Sequence, residues 1–380
     1  MLLPTTSVQT IPALEVRGLS KSYRGVPAVD GIGFAVPQGS LVVLLGPAGA
    51  GKTTTLRLIA GLDRQDAGDI ILHGRSAERR EPKDRDIAMI FDNLALYPDK
   101  TGFENLAYPL ALRGLSKADI ESQVNKTAGL LQIAHVLRRL PKTMSGGERQ
   151  RVALGRALVR KPGLFLLDEP LASLDAVLRV ELRAELKRLQ RELGFAFLLA
   201  TPDYAEAMAV ADTVVMLRKG KVVQISEPQT IYDFPADREV ARFVGAPQIN
   251  LIPARFEQAD AGKICAAGAS LSIPLKLQLA LREYGGHFEL GIRPEHLKLA
   301  DPLSATIHAQ IVDIEPLGLK STLTVKNSEC ELRLVIDAPA ARKLSAGEAV
   351  GIEPVTAGLL AFDPASGRRI DAAMRGQSEQ

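Results

Sequence analysis

Residues 41–59, LVVLLGPAGAGKTTTLRLI, leave little freedom in how the surrounding chain can fold. The apolar run Leu41–Leu45 reads as a buried parallel strand, Gly46–Thr53 fits G-x-x-x-x-G-K-[ST], and Leu56 and Ile59 resume at helical spacing. Strand, loop and helix in that order are the context in which such a loop cradles phosphate. Gly46, Gly49 and Gly51, with Pro47, Ala48 and Ala50 between them, let the backbone turn its N–H groups inward, and a helix starting near Lys52 adds a positive dipole end. Lys52 would reach the outer phosphates, Thr53 would offer its hydroxyl to a magnesium ion, and Thr54 follows in the same turn. A Gly-rich turn without a ligand is the plainer alternative, and it would not need the flanking strand and helix.

A chain of 380 residues divides into two or three domains of ordinary size. Its 46% hydrophobic and 24% charged content is that of a globular protein, and a net charge of +3 gives no support for a nucleic-acid surface, which needs a basic stripe. The basic stretch Arg75–Arg85 is interleaved with Glu78, Glu81 and Asp84 and reads as a solvated face. Cys265 and Cys330 have no motif spacing, so buried or idle thiols in a reducing compartment are expected. No run of about 18 apolar residues occurs and MLLPTTSVQTIP lacks the layout of a signal peptide. The expectation is a cytosolic protein, held at a membrane only through a partner.

Residues 13–36 read as an antiparallel strand layer, and Ile70–Leu72 and Ile87–Phe91 as further strands. From Thr101 to about Arg160 the spacing turns helical. Leu164–Asp168 is a continuous apolar run ending in a carboxylate, as in a central parallel strand. Leu178, Leu182, Leu186, Leu189 and Leu193 then form one helical stripe stopped by Gly194, with Arg179, Glu181, Arg183, Glu185 and Lys187 on a solvated face. Phe195–Thr201 gives another core strand, and residues 214–225 a hairpin. Beyond Gly245, short alternating segments, SLSIPLKLQL among them, predict a small β-barrel or sandwich. The tail from about Ala365 is expected to fray.

Leu164–Glu169 places two acids at a strand end about 115 residues after the phosphate loop. Asp168 would hold magnesium through its shell and Glu169 would act as general base toward water. Between the two motifs lies Met144-Ser145-Gly146-Gly147-Glu148, a second backbone nest leading into a helix.

That element resembles the signature motif of ABC-transporter ATPases. KSYRG at residues 21–25, FDNLALYP at 91–98, Asp168-Glu169-Pro170-Leu171-Ala172-Ser173-Leu174-Asp175 and GIRPEHLKL at 291–299 are similar to stretches of the importer ATPases for sugars, polyols and glycerol phosphate. The resemblance spans residues 13–360. It implies an α/β P-loop ABC ATPase core (residues 13–243, helical signature subdomain about 95–160), then an all-β oligomer-binding-like regulatory domain (244–365) and a tail (366–380). It also implies ATP and Mg²⁺ as ligands, Tyr23 stacked on adenine, and Asp175 in the D-loop. Ser145, Gly146, Gly147 and Glu148 would complete the ATP site of a second ATPase subunit. The implied partners are that second subunit, two membrane-spanning permease subunits, with a docking helix near residues 92–110, and indirectly a solute-binding protein, with no nucleic acid. The implied place is peripheral, on the cytoplasmic side of the inner membrane.

Two positions depart from the family. Asp92 stands where the family has Gln, and Pro202 where it has the His that contacts the γ-phosphate. Proline supplies neither a side-chain donor nor an N–H, and loss of one preorganised donor costs about 10² to 10³ in rate. Asp92 could still ligate Mg²⁺ as a hard oxygen donor; without metal, its charge facing phosphate costs roughly 4 kcal/mol at about 4 Å. With Glu169 and the signature intact, the expectation is one degenerate half of a heterodimeric ATPase pair. A fully active homodimeric transport ATPase and a barely hydrolytic regulatory nucleotide-binding subunit stand beside it.

Overall fold

The computed structural model describes residues 11–91, 93–171, 175–257 and 262–370, which fall into two compact units separating after Pro228. Asp92, Ala172–Leu174 and most of the expected tail, residues 371–380, lie outside the described residues.

The first unit opens with the antiparallel pair β1 (Leu14–Tyr23) and β2 (Val26–Val36), then β3 (Leu41–Leu45), α1 (Lys52–Ala60), β4 (Ala67–Leu72), β5 (Arg75–Ser76) and β6 (Ile87–Ile90). Three helices follow, α2 (Gly102–Leu112), α3 (Lys117–Leu130) and α4 (Gly146–Leu158), before β7 (Leu164–Asp168), α5 (Ala176–Leu193), β8 (Ala196–Thr201), α6 (Tyr204–Val210), β9 (Thr213–Arg218) and β10 (Lys221–Ser226). One sheet runs β2-β1-β4-β5; the other runs β10-β9-β3-β8-β7-β6 and is parallel except at β10. Every residue of β3, β7 and β8 is buried, which is why these strands read as unbroken apolar runs. Their register decides where chemistry can occur. Leu45 pairs with Thr201 and Asp168 with Ala200, so the phosphate loop, the acid pair and the Thr201–Pro202 turn all leave the sheet at one edge.

The second unit holds α7 (Pro228–Asp233), α8 (Arg238–Phe243), β11 (Asn250–Phe256), β12 (Lys263–Ala266), β13 (Ala269–Ser272), α9 (Leu275–Tyr284), β14 (His287–Ile292), β15 (Leu297–Ala300) and β16 (Ile307–Leu317). It continues through β17 (Lys320–Lys326), β18 (Glu331–Asp337), α10 (Ala338–Ala341), β19 (Ala349–Pro354) and β20 (Leu359–Phe362). Two five-stranded antiparallel sheets, β13-β12-β11-β14-β20 and β15-β19-β16-β17-β18, enclose a core that includes Phe288, Leu290, Leu323, Leu334 and Ile352.

Four sequence expectations need correction. SLSIPLKLQL is not one alternating strand segment: Pro274 caps α9, whose Leu277, Ala280 and Leu281 are buried at helical spacing. Arg85 is not part of a solvated face. It is 5% exposed, and its guanidinium donates to the carbonyls of Leu58 and Ile59 at the end of α1, adding a cation to the negative end of that helix. On α5, Arg183 and Lys187 are not solvated either, because Arg183 pairs with Asp203 and Lys187 with Asp212 and the Val210 carbonyl. Residues 365–370 do not fray: Arg368 bridges to Asp237, Arg369 to Phe362, and Ile370 packs on the core.

Candidate functional site

Gly51, at φ 102°, hands the loop over to α1 without a side-chain cap, so the first N–H groups of that helix face the loop. Two glycines are sterically required. A Cβ on Gly46 would stand 2.2 Å from the Leu217 carbonyl oxygen, and one on Gly51 would stand 2.5 Å from that of Ala28. Pro47, Ala48 and Gly49 are exposed, while Ala50 is buried and its carbonyl accepts from Gly220 N–H. The loop is thus wedged between β2 and the β9–β10 turn, with its rim open.

Lys52 is 4% exposed and its ammonium donates to the carbonyls of Gly46 (2.9 Å) and Pro47 (3.1 Å), with the Glu169 carboxylate 3.7 Å away. Burial pulls this lysine below its usual range, and the Glu169 and Asp168 charges act in the opposite direction. Thr53 Oγ1 donates to Asp168 Oδ1 at 3.1 Å, which joins the loop to the end of β7. Glu169 sits at φ 46°, a left-handed backbone that is costly for a non-glycine residue, held by its N–H to Ala200 O at 2.9 Å. Thr53, Arg57, Met89, Phe91, Asn93, Asp168 and Glu169 line a cleft of about 360 Å³.

Those residues suit a magnesium nucleotide. A threonine hydroxyl beside a carboxylate is a pair of hard oxygen donors, and the buried Lys52 ammonium lies 3.7 Å from the next carboxylate, Glu169. Among the described residues no cluster of three His, Cys, Asp or Glu could cage a metal alone, so phosphate oxygens would supply the remaining ligands.

Ser145–Glu148 do not line this cleft. Ser145 is the exposed N-cap of α4: its hydroxyl accepts from Glu148 N–H, while Glu148 accepts from Ser145 N–H at 2.6 Å. Glu148 also meets Arg139 and His135 at 3.2 Å each, and these contacts with the Ser145 N–H hold its carboxyl below the ordinary range. Gly147 is buried against Leu178 of α5, 2.6 Å from where its Cβ would lie. Asp175 caps α5 by accepting from Leu178 N–H at 2.9 Å.

Pro202 is exposed at the turn after β8 and belongs to a small polar cluster. Thr201 donates its hydroxyl to Glu206 at 2.6 Å, and Asp203 caps α6 while pairing with Arg183. Glu206 is 3% exposed, and burial pushes its carboxyl up to about 7. Sequence reasoning missed Glu206, and also Arg57 and Asn93 in the cleft. Arg57 lies four residues after Thr53 on the same helix face, a spacing that pointed to it; Glu206 carried no signal, since only packing buries it.

The chain matches the ABC transporter family over residues 29–172, the MalK OB fold domain over 245–297 and the TOBE domain over 290–362. It is 41% identical to the sn-glycerol-3-phosphate import ATP-binding protein UgpC of Cereibacter sphaeroides, across 94% of this chain and 99% of that one. To the protein of the same name in Vibrio vulnificus it is 45% identical, across 80% and 81%. Among solved structures, cbiO1 from Clostridium perfringens, part of the ABC transporter complex cbiONQ, superposes with a TM-score of 0.55 at 26% identity, covering 58% of this chain and 90% of that one. The ATP-binding cassette MJ0796 bound to ADP and Pi shares the fold, with a TM-score of 0.52 at 24% identity, over 57% and 98%.

Proposed function

Because the chain belongs to the ABC transporter ATPases, in the branch that carries MalK-type OB and TOBE domains, we propose that it is the ATP-binding subunit of an importer for sn-glycerol 3-phosphate or a close polyol phosphate. The observation that carries the ATPase reading is the convergence of Thr53, Asp168 and Glu169 on one cleft, with the Lys52 ammonium 3.7 Å from the Glu169 carboxylate. The solute reading is supported by the relatives, which share the name across nearly the full chain.

In this reading the loop N–H groups and Lys52 take the β- and γ-phosphates, and the ammonium exchanges its carbonyl partners for phosphate oxygens. Thr53 and Asp168 would hold Mg²⁺, with Asp92 as the further oxygen donor that the resemblance implies; the ion would neutralise charge between the phosphates. Glu169 is the general base that receives the proton of the attacking water. Ser145, Gly146, Gly147 and Glu148 serve the ATP of a second ATPase subunit, and permease subunits anchor the pair at the cytoplasmic face of the membrane. Among the described residues no helix is long and apolar enough to cross a bilayer.

The finer reading is slow hydrolysis at this chain's own site, as the degenerate half of a pair. Pro202 supports it, having neither ring donor nor N–H where a γ-phosphate contact is needed. Nothing among the relatives calls for a non-identical second subunit, so Pro202 is its sole support among the described residues. The test is uptake. In cells lacking their own glycerol-phosphate and maltose ATPase subunits, a homodimer of this chain with its permease should restore uptake of labelled sn-glycerol 3-phosphate, and Glu169→Gln should abolish it while the purified subunit still binds ATP; the degenerate-half reading instead expects no uptake until a second ATPase subunit is supplied. Restored maltose uptake alone would overturn the solute assignment.

A further inference from the structure

Tyr23 stands at the end of β1, 43% exposed as a residue, and an exposed aromatic side chain ordinarily samples several rotamers. Here the ring is fixed at its far end. The hydroxyl donates to Asp63 Oδ2 at 2.9 Å. That oxygen also accepts from Arg57 Nε at 2.7 Å, and Arg57 Nη2 donates to the second oxygen at 3.2 Å. The neighbouring carboxylate of Asp66 binds the strand itself, taking Lys21 Nζ at 2.8 Å and Ser22 N–H at 2.7 Å, and the Lys21 ammonium lies 5.6 Å over the tyrosine ring.

The local sequence explains why Asp63 is there. Gly61, at φ 77°, ends α1, and Leu62 N–H returns to the Arg57 carbonyl at 2.9 Å. The reversal lays Asp63 back along the last turn, under the side chain of Arg57. Arg57 belongs to the helix that starts with Lys52 and Thr53, and it lines the cleft with Thr53 and Glu169. The helix that follows the phosphate loop and the Tyr23 ring are therefore joined through one carboxylate. The charged fork holds the Asp63 carboxyl below its usual range, so it is ionised whenever the tyrosine hydroxyl donates to it.

We propose that Asp63 is a positioning residue for nucleotide binding, fixing the Tyr23 ring at a set distance and plane from the phosphate loop so that a purine base stacks on a ring already in place. The inference rests on the base-stacking reading of Tyr23. Its physical basis is preorganisation: the rotamer freedom that the base would otherwise have to quench is removed by the Tyr23–Asp63–Arg57 chain before the ligand arrives.

The test compares the full chain binding Mg·ATP with the same chain binding Mg·tripolyphosphate, which carries the phosphates without a base. Tyr23→Phe removes only the hydroxyl, and Asp63→Asn breaks the shared acceptor with little change in shape. Each should weaken ATP about three- to tenfold, the value of one such bond, and leave tripolyphosphate unchanged. Tyr23→Ala should weaken ATP on the order of tenfold or more through lost stacking. If both ligands weaken equally, Asp63 acts on the phosphate side or on stability and the inference is overturned. If Tyr23→Ala weakens ATP while Tyr23→Phe and Asp63→Asn do not, the stack stands and the positioning role falls. Should Tyr23→Ala leave ATP affinity intact, the stacking reading fails, and the positioning role with it.

Discussion

Glu206 shows how much a single side chain owes to its surroundings. Its carboxyl is on α6, which packs on β8 and β3, and the charged groups that face it are Arg183 and Arg179 on α5 and Asp203 in its own turn. Burial outweighs those arginines and lifts it from an ordinary value of 4.5 to about 7. Below about pH 4.5 both folded and unfolded chains hold the proton; between there and about 7 the unfolded chain releases it first, so stability falls as pH rises, then levels off. Glu206→Gln, which can still accept from Thr201, should flatten that slope. Its gain at pH 8 should be on the order of 3 kcal/mol, with little difference at pH 4.5, as read from urea unfolding across pH. Four residues earlier, Pro202→His should raise the steady ATPase rate tenfold or more, a fraction of the roughly 10² to 10³ that one preorganised donor supplies. An unchanged rate would mean that Glu169 already suffices.

The helix ends carry most of the local chemistry at the scale of elements. The Ser145–Glu148 capping box ties the first turn of α4 in both directions, and Glu148 adds bonds to Arg139 and His135. Glu148→Ala should cost about 1 kcal/mol and lower the melting temperature by a few degrees. Glu148→Gln, which keeps an acceptor, should cost less; the comparison is made by thermal melting. In the phosphate loop the constraint is steric. Gly51→Ala meets both a left-handed φ and the Ala28 carbonyl, and should abolish ATP binding measured by calorimetry without unfolding the second unit. These elements were legible because their signals are local. The phosphate loop, the strand of Leu164–Asp168 and the Gly194 stop each announce themselves within a few residues. By contrast α9 was hidden, since SLSIPLKLQL satisfies a period of two as well as the helical period, and only burial of Leu277, Ala280 and Leu281 decides between them.

At the scale of the whole molecule, two compact units with separate cores should unfold in separable steps. Scanning calorimetry with Mg·ATP at 100 times its dissociation constant should shift the transition of the first unit alone, by the equivalent of about 2.7 kcal/mol. A single transition that moves as one would show the cores to be coupled. From its sequence alone the chain determined its ATPase core, its β-rich second unit, the phosphate loop and the acid pair, because apolar period, glycine placement and carboxylates at strand ends act over short stretches. The tertiary structure alone decided that Arg85 and Glu206 are buried and that Arg183 is paired with Asp203. It alone likewise joined Arg57 and Asp63 to Tyr23. A charged side chain reads as solvent-facing until the fold brings distant groups against it, and whether desolvation or pairing then wins depends on neighbours that no local pattern names.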